Sequence, residues 1–236
     1  MQADRVTKPL GTKAYGSICH LPGSRLGPGD HKLEPGMERI LCEKARDRHD
    51  VIIVQEKLDG SNVAVAKIDG QLHPLGRSGY PAISSKYEQH RLFHLWVMQN
   101  TARFNWLKDG ERLCGEWLAQ AHGTRYQLWH EPFIPFDLMR GEERAPFSEF
   151  VSRVCRGGFT LPRILWIGGP IRVSEVEALL GVNGHHGAID AAEGAVWRVE
   201  RKGVVDFLGK YVRPDKVDGK YLPEISGKEP VWNWRP

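Results

Sequence analysis

The chain has 236 residues, 41% of them hydrophobic and 26% charged, enough to bury a core and ordinary for a globular protein. No apolar run approaches the roughly 20 residues of a bilayer span, and Met1-Gln2-Ala3-Asp4-Arg5 lacks a signal peptide's hydrophobic segment, so a cytoplasmic location without a membrane partner is expected. A formal charge of +4 permits a nucleic-acid partner without requiring one, and the four cysteines (Cys19, Cys42, Cys114, Cys155) show no spacing suited to a disulfide framework or zinc knuckle.

Residues 13–37 are too rich in proline and glycine for a helix or a long strand. They display Tyr15, His20, Arg25 and His31, either as a lid over a phosphate or nucleotide or as a cover packed on a sheet edge. Residues 51–54 read as a buried strand running into the corner Glu56-Lys57-Leu58-Asp59-Gly60-Ser61-Asn62. Residues 63–68 and the return from Gln71 to Gly76-Arg77-Ser78-Gly79 form a hairpin across Asp69-Gly70. A helix is predicted over 84–103, with Leu92, Phe93, Leu95, Trp96 and Val97 as its core face. Strands follow at 112–118 and 133–139, then a helix from Ser148 to Gly157-Gly158. Another helix starts at Ser174, with Glu177 completing a capping box. His185-His186, between glycines, reads as a solvated loop. Strands 195–199 and 204–208 pair across Lys202-Gly203. With no repeat, linker or low-complexity tract, residues 1–236 are expected to form one α+β domain of antiparallel sheets flanked by helices. Residues 1–37 form its loop-rich cover. The tail, 221–236, carries Trp232 and Trp234 and packs on the core, with no separate C-terminal domain.

Lys57 is the residue whose setting carries chemistry. A lysine amine at a strand-to-turn corner can attack phosphorus, carry a nucleotide and leave again, provided its proton is removed and its charge offset. K-x-D-G alone is a common turn. Here it is followed in order by Arg77-Ser78-Gly79, Gly115-Glu116-Trp117-Leu118, Phe133-Ile134-Pro135-Phe136-Asp137, Glu193-Gly194-Ala195-Val196-Trp197-Arg198 and a basic stretch from Lys210 to Lys216.

This ordered set resembles the covalent nucleotidyltransferase superfamily of ATP-dependent ligases and capping enzymes, and within it the RNA ligases of the RNA ligase 2 type, from about Tyr15 to Lys220. DNA ligases and capping enzymes usually carry arginine at the fifth position after the lysine, where this chain has Asn62. The resemblance implies that Lys57 attacks the α-phosphorus of ATP and holds AMP, and that Glu56 reads the adenine edge. It places Asn62 and Arg77 against the nucleotide and Glu116 against the ribose or a metal. Phe136 stacks on adenine, with Phe133 the alternative, and Glu193 binds the catalytic metal. Lys210 and Lys216 neutralise phosphate charge; the family's two lysines one residue apart are not reproduced, leaving Lys210, Arg213 and Lys216 open for the α-phosphate. ATP with Mg²⁺ or Mn²⁺ is the implied cofactor set. The implied substrates are RNA 5′-phosphate and 3′-hydroxyl ends, gripped by the core face, the N-terminal loop or an accessory protein. The rivals are a DNA nick-sealing ligase, another enzyme of the superfamily, and an end-binding module that has lost ligation.

Overall fold

The computed structural model describes residues 6–236; Met1–Arg5, on which the signal-peptide expectation bears, lie outside the described residues. In chain order the elements are β1 (Cys19–His20), α1 (Pro35–Cys42), β2 (Asp50–Lys57), β3 (Ser61–Ile68), β4 (Gln71–Gly76), α2 (Glu88–Gln99), β5 (Glu111–Trp117), β6 (Phe133–Arg140), β7 (Glu143–Arg144), α3 (Phe147–Arg156), β8 (Ile164–Gly168), α4 (Val173–Leu180), β9 (Gly194–Arg201), β10 (Val204–Val212) and the single turn α5 (Pro223–Ser226). The fold is α+β, as expected. Two compact units divide it, each built on one five-stranded sheet. Among the described residues no helix is long and apolar enough to cross a membrane.

One unit comprises Ser17–Gly60, Gln120–Glu131 and Pro162–Pro236. Its sheet has the order β1-β10-β9-β2-β8, antiparallel except where β1 joins β10 in parallel. Side chains alternate between the faces of a strand. Ile52 and Val54 of β2 and Ala195, Trp197 and Val199 of β9 therefore enter one core with Leu21, Leu33, Leu41, Ile171 and Val176. Each large apolar side chain so buried stabilises the unit by about 1.5–3 kcal/mol. The opposite face receives Ile53, Gln55 and Lys57, with Arg198 of β9 and Lys210 of β10 in the same alternation. Gly194 lies opposite Lys57, and a Cβ there would collide with the Tyr211 carbonyl oxygen, so only glycine lets β9 and β10 close at this point.

The other unit comprises residues up to Gly16 together with Ser61–Ala119 and Pro132–Leu161. Its sheet runs β4-β3-β5-β6-β7, all antiparallel. Phe93 and Trp96 of α2 pack on Trp117 and Phe133 with ring centroids 5.3–5.8 Å apart, burying one sheet face.

Two expectations need correction. The helix over 84–103 is instead α2 between two 3₁₀ turns, Ala82–Ser84 and Thr101–Phe104. Ser84 and Ser85 spend their hydroxyls on the Pro81 carbonyl and the Tyr87 N–H, local bonds that compete with helix. At the far end the Asn100 amide donates to the Trp96 carbonyl at 2.8 Å and closes the helix. The capping residue of α4 is Glu175, which accepts the Arg172 N–H at 3.1 Å, while Glu177 takes the Tyr211 hydroxyl at 2.8 Å. Strand β8 is an addition to the elements read above: Ile164-Leu165-Trp166-Ile167, between Pro162 and Gly168-Gly169, is a short apolar run without the alternation of a half-buried strand.

Candidate active site

Lys57 ends β2, and Glu193 immediately precedes β9, so the register that sets Lys57 against Gly194 brings the two side chains together. Lys57 Nζ donates to Glu193 Oε2 at 2.6 Å. Lys57 is half-buried and Glu193 buried. Burial holds the Glu193 carboxyl above the ordinary carboxylate range, against the opposing pull of the Lys57 ammonium.

Lys210 pairs through the β10–β9–β2 register with Val196 and Gln55, one step along the same sheet face from Lys57. Its proton affinity is lowered by burial first and then by the Lys57 charge, with Asp30 pulling the other way. Lys216 is placed differently. It is buried, its amine 2.8 Å from Asp59 Oδ2 and hydrogen-bonded to the Thr124 hydroxyl. Asp59 also accepts the Gly123 N–H at 2.9 Å, and its own N–H donates to the Tyr126 oxygen at 3.1 Å. The aspartate of the K-x-D-G corner is thus the counter-ion that seats Lys216. Thr124 and Tyr126, which complete that seat, come from a segment without periodicity.

Glu56 is buried behind Lys57 and accepts the His185 N–H at 3.0 Å on both carboxylate oxygens. Burial raises its proton affinity and the His185 bond opposes the rise. A Cβ at Gly184 would meet Glu56 Oε1, so a side chain there would displace this carboxylate from the His185 N–H. The His185-His186 segment is the loop expected, with His185 exposed, but His186 is not solvated. His186 is 1% exposed, lies 2.8 Å from His130 Nε2 through its Nδ1, and runs parallel to the exposed Trp129 ring. Burial, then His130 and His185, push its pKa down to about 3, so the ring is neutral.

The remaining sequence candidates lie on the other unit. Asn62 and Glu116 are direct cross-strand partners on β3 and β5. Arg77 is exposed just past β4; its N–H donates to the Asn62 carbonyl at 3.1 Å, and its carbonyl accepts the Ala14 and Tyr15 N–H groups. Phe136 is the extra residue of a β-bulge: Cys114 pairs with Asp137 and Gly115 with Pro135, leaving Phe136 unopposed. Such bulges re-aim a side chain, and this ring stays partly exposed, edge-on to Tyr15 at 5.1 Å. Phe133 is fully buried among the aromatics of α2 and β5, which removes it as a stacking surface.

Residues 50–212 match the family model described as RNA ligase, roughly two-thirds of the chain and spanning every candidate from Glu56 to Lys210. The chain is also 25% identical over 116 residues to an uncharacterised protein of Methanocaldococcus jannaschii, a match covering 48% of this chain and 25% of that one. Among solved structures it resembles a Naegleria gruberi RNA ligase mutant with AMP and Mn (TM-score 0.57, 15% identity, 82% of this chain and 59% of that one). The same ligase with pyrophosphate is matched at TM-score 0.54 and 16% identity, over 89% of this chain and 62% of that one. The chain therefore spans less than two-thirds of the ligase it resembles and about a quarter of the curated relative, and the structural likeness concerns the fold. By the match of its sequence to the family model, this chain belongs to the RNA ligase family.

Proposed function

We propose that the protein is an ATP-dependent RNA ligase of the RNA ligase 2 type, acting through a lysyl-AMP intermediate on Lys57. The observation that carries this reading is the half-buried Lys57 amine 2.6 Å from the buried Glu193 carboxylate, with a second half-buried lysine, Lys210, on the same sheet face.

In the first step the neutral amine attacks the α-phosphorus of ATP. An N–P bond forms, the bridging α–β P–O bond breaks, and pyrophosphate leaves. An RNA 5′-phosphate oxygen next displaces the lysine, giving a 5′–5′ pyrophosphate-linked adenylate. Finally a 3′-hydroxyl attacks that 5′-phosphate, the phosphodiester forms and AMP departs. While Glu193 holds Lys57 the ammonium is favoured. When Glu193 is engaged elsewhere, Lys57 loses its counter-ion while the Lys210 charge remains, and the free amine is favoured.

Among the described residues no group of three or more His, Cys, Asp or Glu is arranged to hold a metal ion. A single buried carboxylate suits Mg²⁺ or Mn²⁺ carried in largely by water and substrate phosphates rather than by a resident protein cage, and Glu193 is the ligand proposed. Such an ion would screen phosphate charge. Lys210 supplies positive charge where negative charge develops in the transition state, usually the main source of rate acceleration in phosphoryl transfer. Lys216 is proposed to act once its seat on Asp59 rearranges. Glu56, Asn62, Arg77, Glu116 and Phe136 are proposed to contact the nucleotide.

The test is joining of a nicked duplex, a nicked stem-loop and free single strands bearing 5′-phosphate and 3′-hydroxyl RNA ends, with ATP and Mg²⁺. An adenylated RNA followed by a joined product is expected with ATP and not GTP, and with RNA rather than DNA ends. Equal sealing of DNA, or use of GTP, would favour another enzyme of the superfamily. End binding without any adenylate would favour a ligation-inactive module.

A further inference from the structure

The segment before α1 wraps one lysine with unusual completeness. The Leu21 N–H donates to the Lys210 carbonyl at 2.8 Å and the Arg25 N–H to the Val212 carbonyl at 2.9 Å, tying the segment to β10 at Lys210 and two residues beyond it. A side-chain row then runs between the same two residues. The Val212 N–H donates to Ser24 Oγ at 2.9 Å, and Ser24 Oγ lies 2.6 Å from His20 Nδ1. His20 Nε2 is 3.1 Å from Asp30 Oδ2, and Asp30 Oδ1 is 3.4 Å from Lys210 Nζ. Asp30 is further fixed by the Gly27 N–H at 2.9 Å.

His20 is 1% exposed, and burial and then Lys210 disfavour its charged form, so the ring is neutral. Its position between a hydroxyl and a carboxylate assigns the proton to Nε2, facing Asp30. Nδ1 then accepts the Ser24 proton, and Ser24 accepts from Val212. The Val212 N–H and the Ser24 hydroxyl thus donate toward His20, whose Nε2 lies 3.1 Å from the carboxylate that meets Lys210.

We propose that Asp30, oriented by His20 and Ser24, is a positioning residue that fixes the Lys210 amine on the sheet face it shares with Lys57 before nucleotide binds. A lysine on its flexible stem samples many positions; a cation meant for developing phosphate charge is worth most when already in place. This inference rests on the ligase reading, in which Lys210 faces phosphate.

The experiment is a double-mutant cycle on single-turnover adenylation at saturating ATP: wild type, Asp30→Asn, Lys210→Met and the double variant, with Asp30→Glu as the conservative control. Contacting residues that act as a unit couple strongly. Asp30→Asn is expected to slow adenylation roughly tenfold in the wild-type background and less than about twofold beside Lys210→Met, with Asp30→Glu recovering part of the rate. An equal loss in both backgrounds, or no loss in either, would overturn the proposal. If Asp30→Asn does not fold, Ser24→Ala replaces it in the same cycle, with a smaller loss that again requires Lys210. A silent wild type would instead sink the ligase reading, whereas an active wild type with additive losses would sink only this inference.

Discussion

At the scale of single residues, Lys57 matters to the fold as well as to the chemistry proposed for it. The corner motif suggests a solvated turn lysine whose removal leaves packing untouched, yet the amine is half-buried against Glu193. Removing one member of a buried pair is costly unless the survivor neutralises, and Glu193 already leans toward its protonated form. Lys57→Ala is therefore expected to fold with a modest loss of stability, about 1–2 kcal/mol by urea denaturation. Lys216 sits deeper, and its loss would leave the Asp59 carboxylate enclosed without its counter-ion. Lys216→Met should accordingly cost more, about 3 kcal/mol in the same measurement. A loss no greater than that of Lys57→Ala would contradict the seat described for Lys216. None of these partnerships was legible in the sequence. The residue types at the corner were, but Asp59, Gly123 and Thr124 meet only through the folded chain.

At the scale of elements, the hairpin at Asp69-Gly70, strands β5, β6, β9 and β10, and the α3 helix could be read because turn chemistry and periodicity mark them locally. Boundaries set by side-chain capping could not, and the short apolar run of β8 lacks the alternation that separates a strand from a buried helix segment. The docking of α3 on β5 shows what local signals omit. Arg153 grips Glu111 with both guanidinium nitrogens, at 2.8 and 2.5 Å, and both residues are buried. Burial alone would raise the Glu111 carboxyl, but the Arg153 bonds prevail and hold it below its usual range. A depressed carboxylate contributes stability that is present above its unfolded pKa of about 4.3 and is lost as pH falls through the folded value. Arg153→Met should cost about 3–5 kcal/mol near pH 7, and this deficit should shrink at about pH 4, where the variant's buried Glu111, without its guanidinium partner, takes a proton. Urea titrations of both proteins at the two pH values check this; a deficit independent of pH would contradict it.

The His130–His186 contact carries the opposite chemistry with the same sign. His186 is neutral in the fold with a pKa of about 3, against about 6.5 unfolded. Its contribution is full above 6.5 and is lost as pH falls toward 3, with a limiting slope of about 1.4 kcal/mol per pH unit. His186→Asn should flatten stability across that window in urea titrations. An unchanged slope would show that the ring is charged or exposed.

At the scale of the molecule, the two sheets divide the candidates. Glu56, Lys57, Glu193, Lys210 and Lys216 belong to one unit and Asn62, Arg77, Glu116 and Phe136 to the other, the chain passing between them at Gly60–Ser61. The family was legible in the sequence because its signature is an order of short motifs around one lysine, which does not depend on knowing the fold. The positioning of Lys210 by Asp30 was not, because Pro- and Gly-rich loops leave no periodic trace. The proposed chemistry stands on Lys57 carrying AMP. Its most direct test is incubation of the purified protein with ATP labelled at the α-phosphate and Mg²⁺, followed by denaturing electrophoresis, with intact mass recorded beforehand to detect AMP already attached. A labelled band is expected in the wild type and none in Lys57→Ala. Label retained by Lys57→Ala, or no adenylate on wild-type protein that also carries none beforehand, would contradict it.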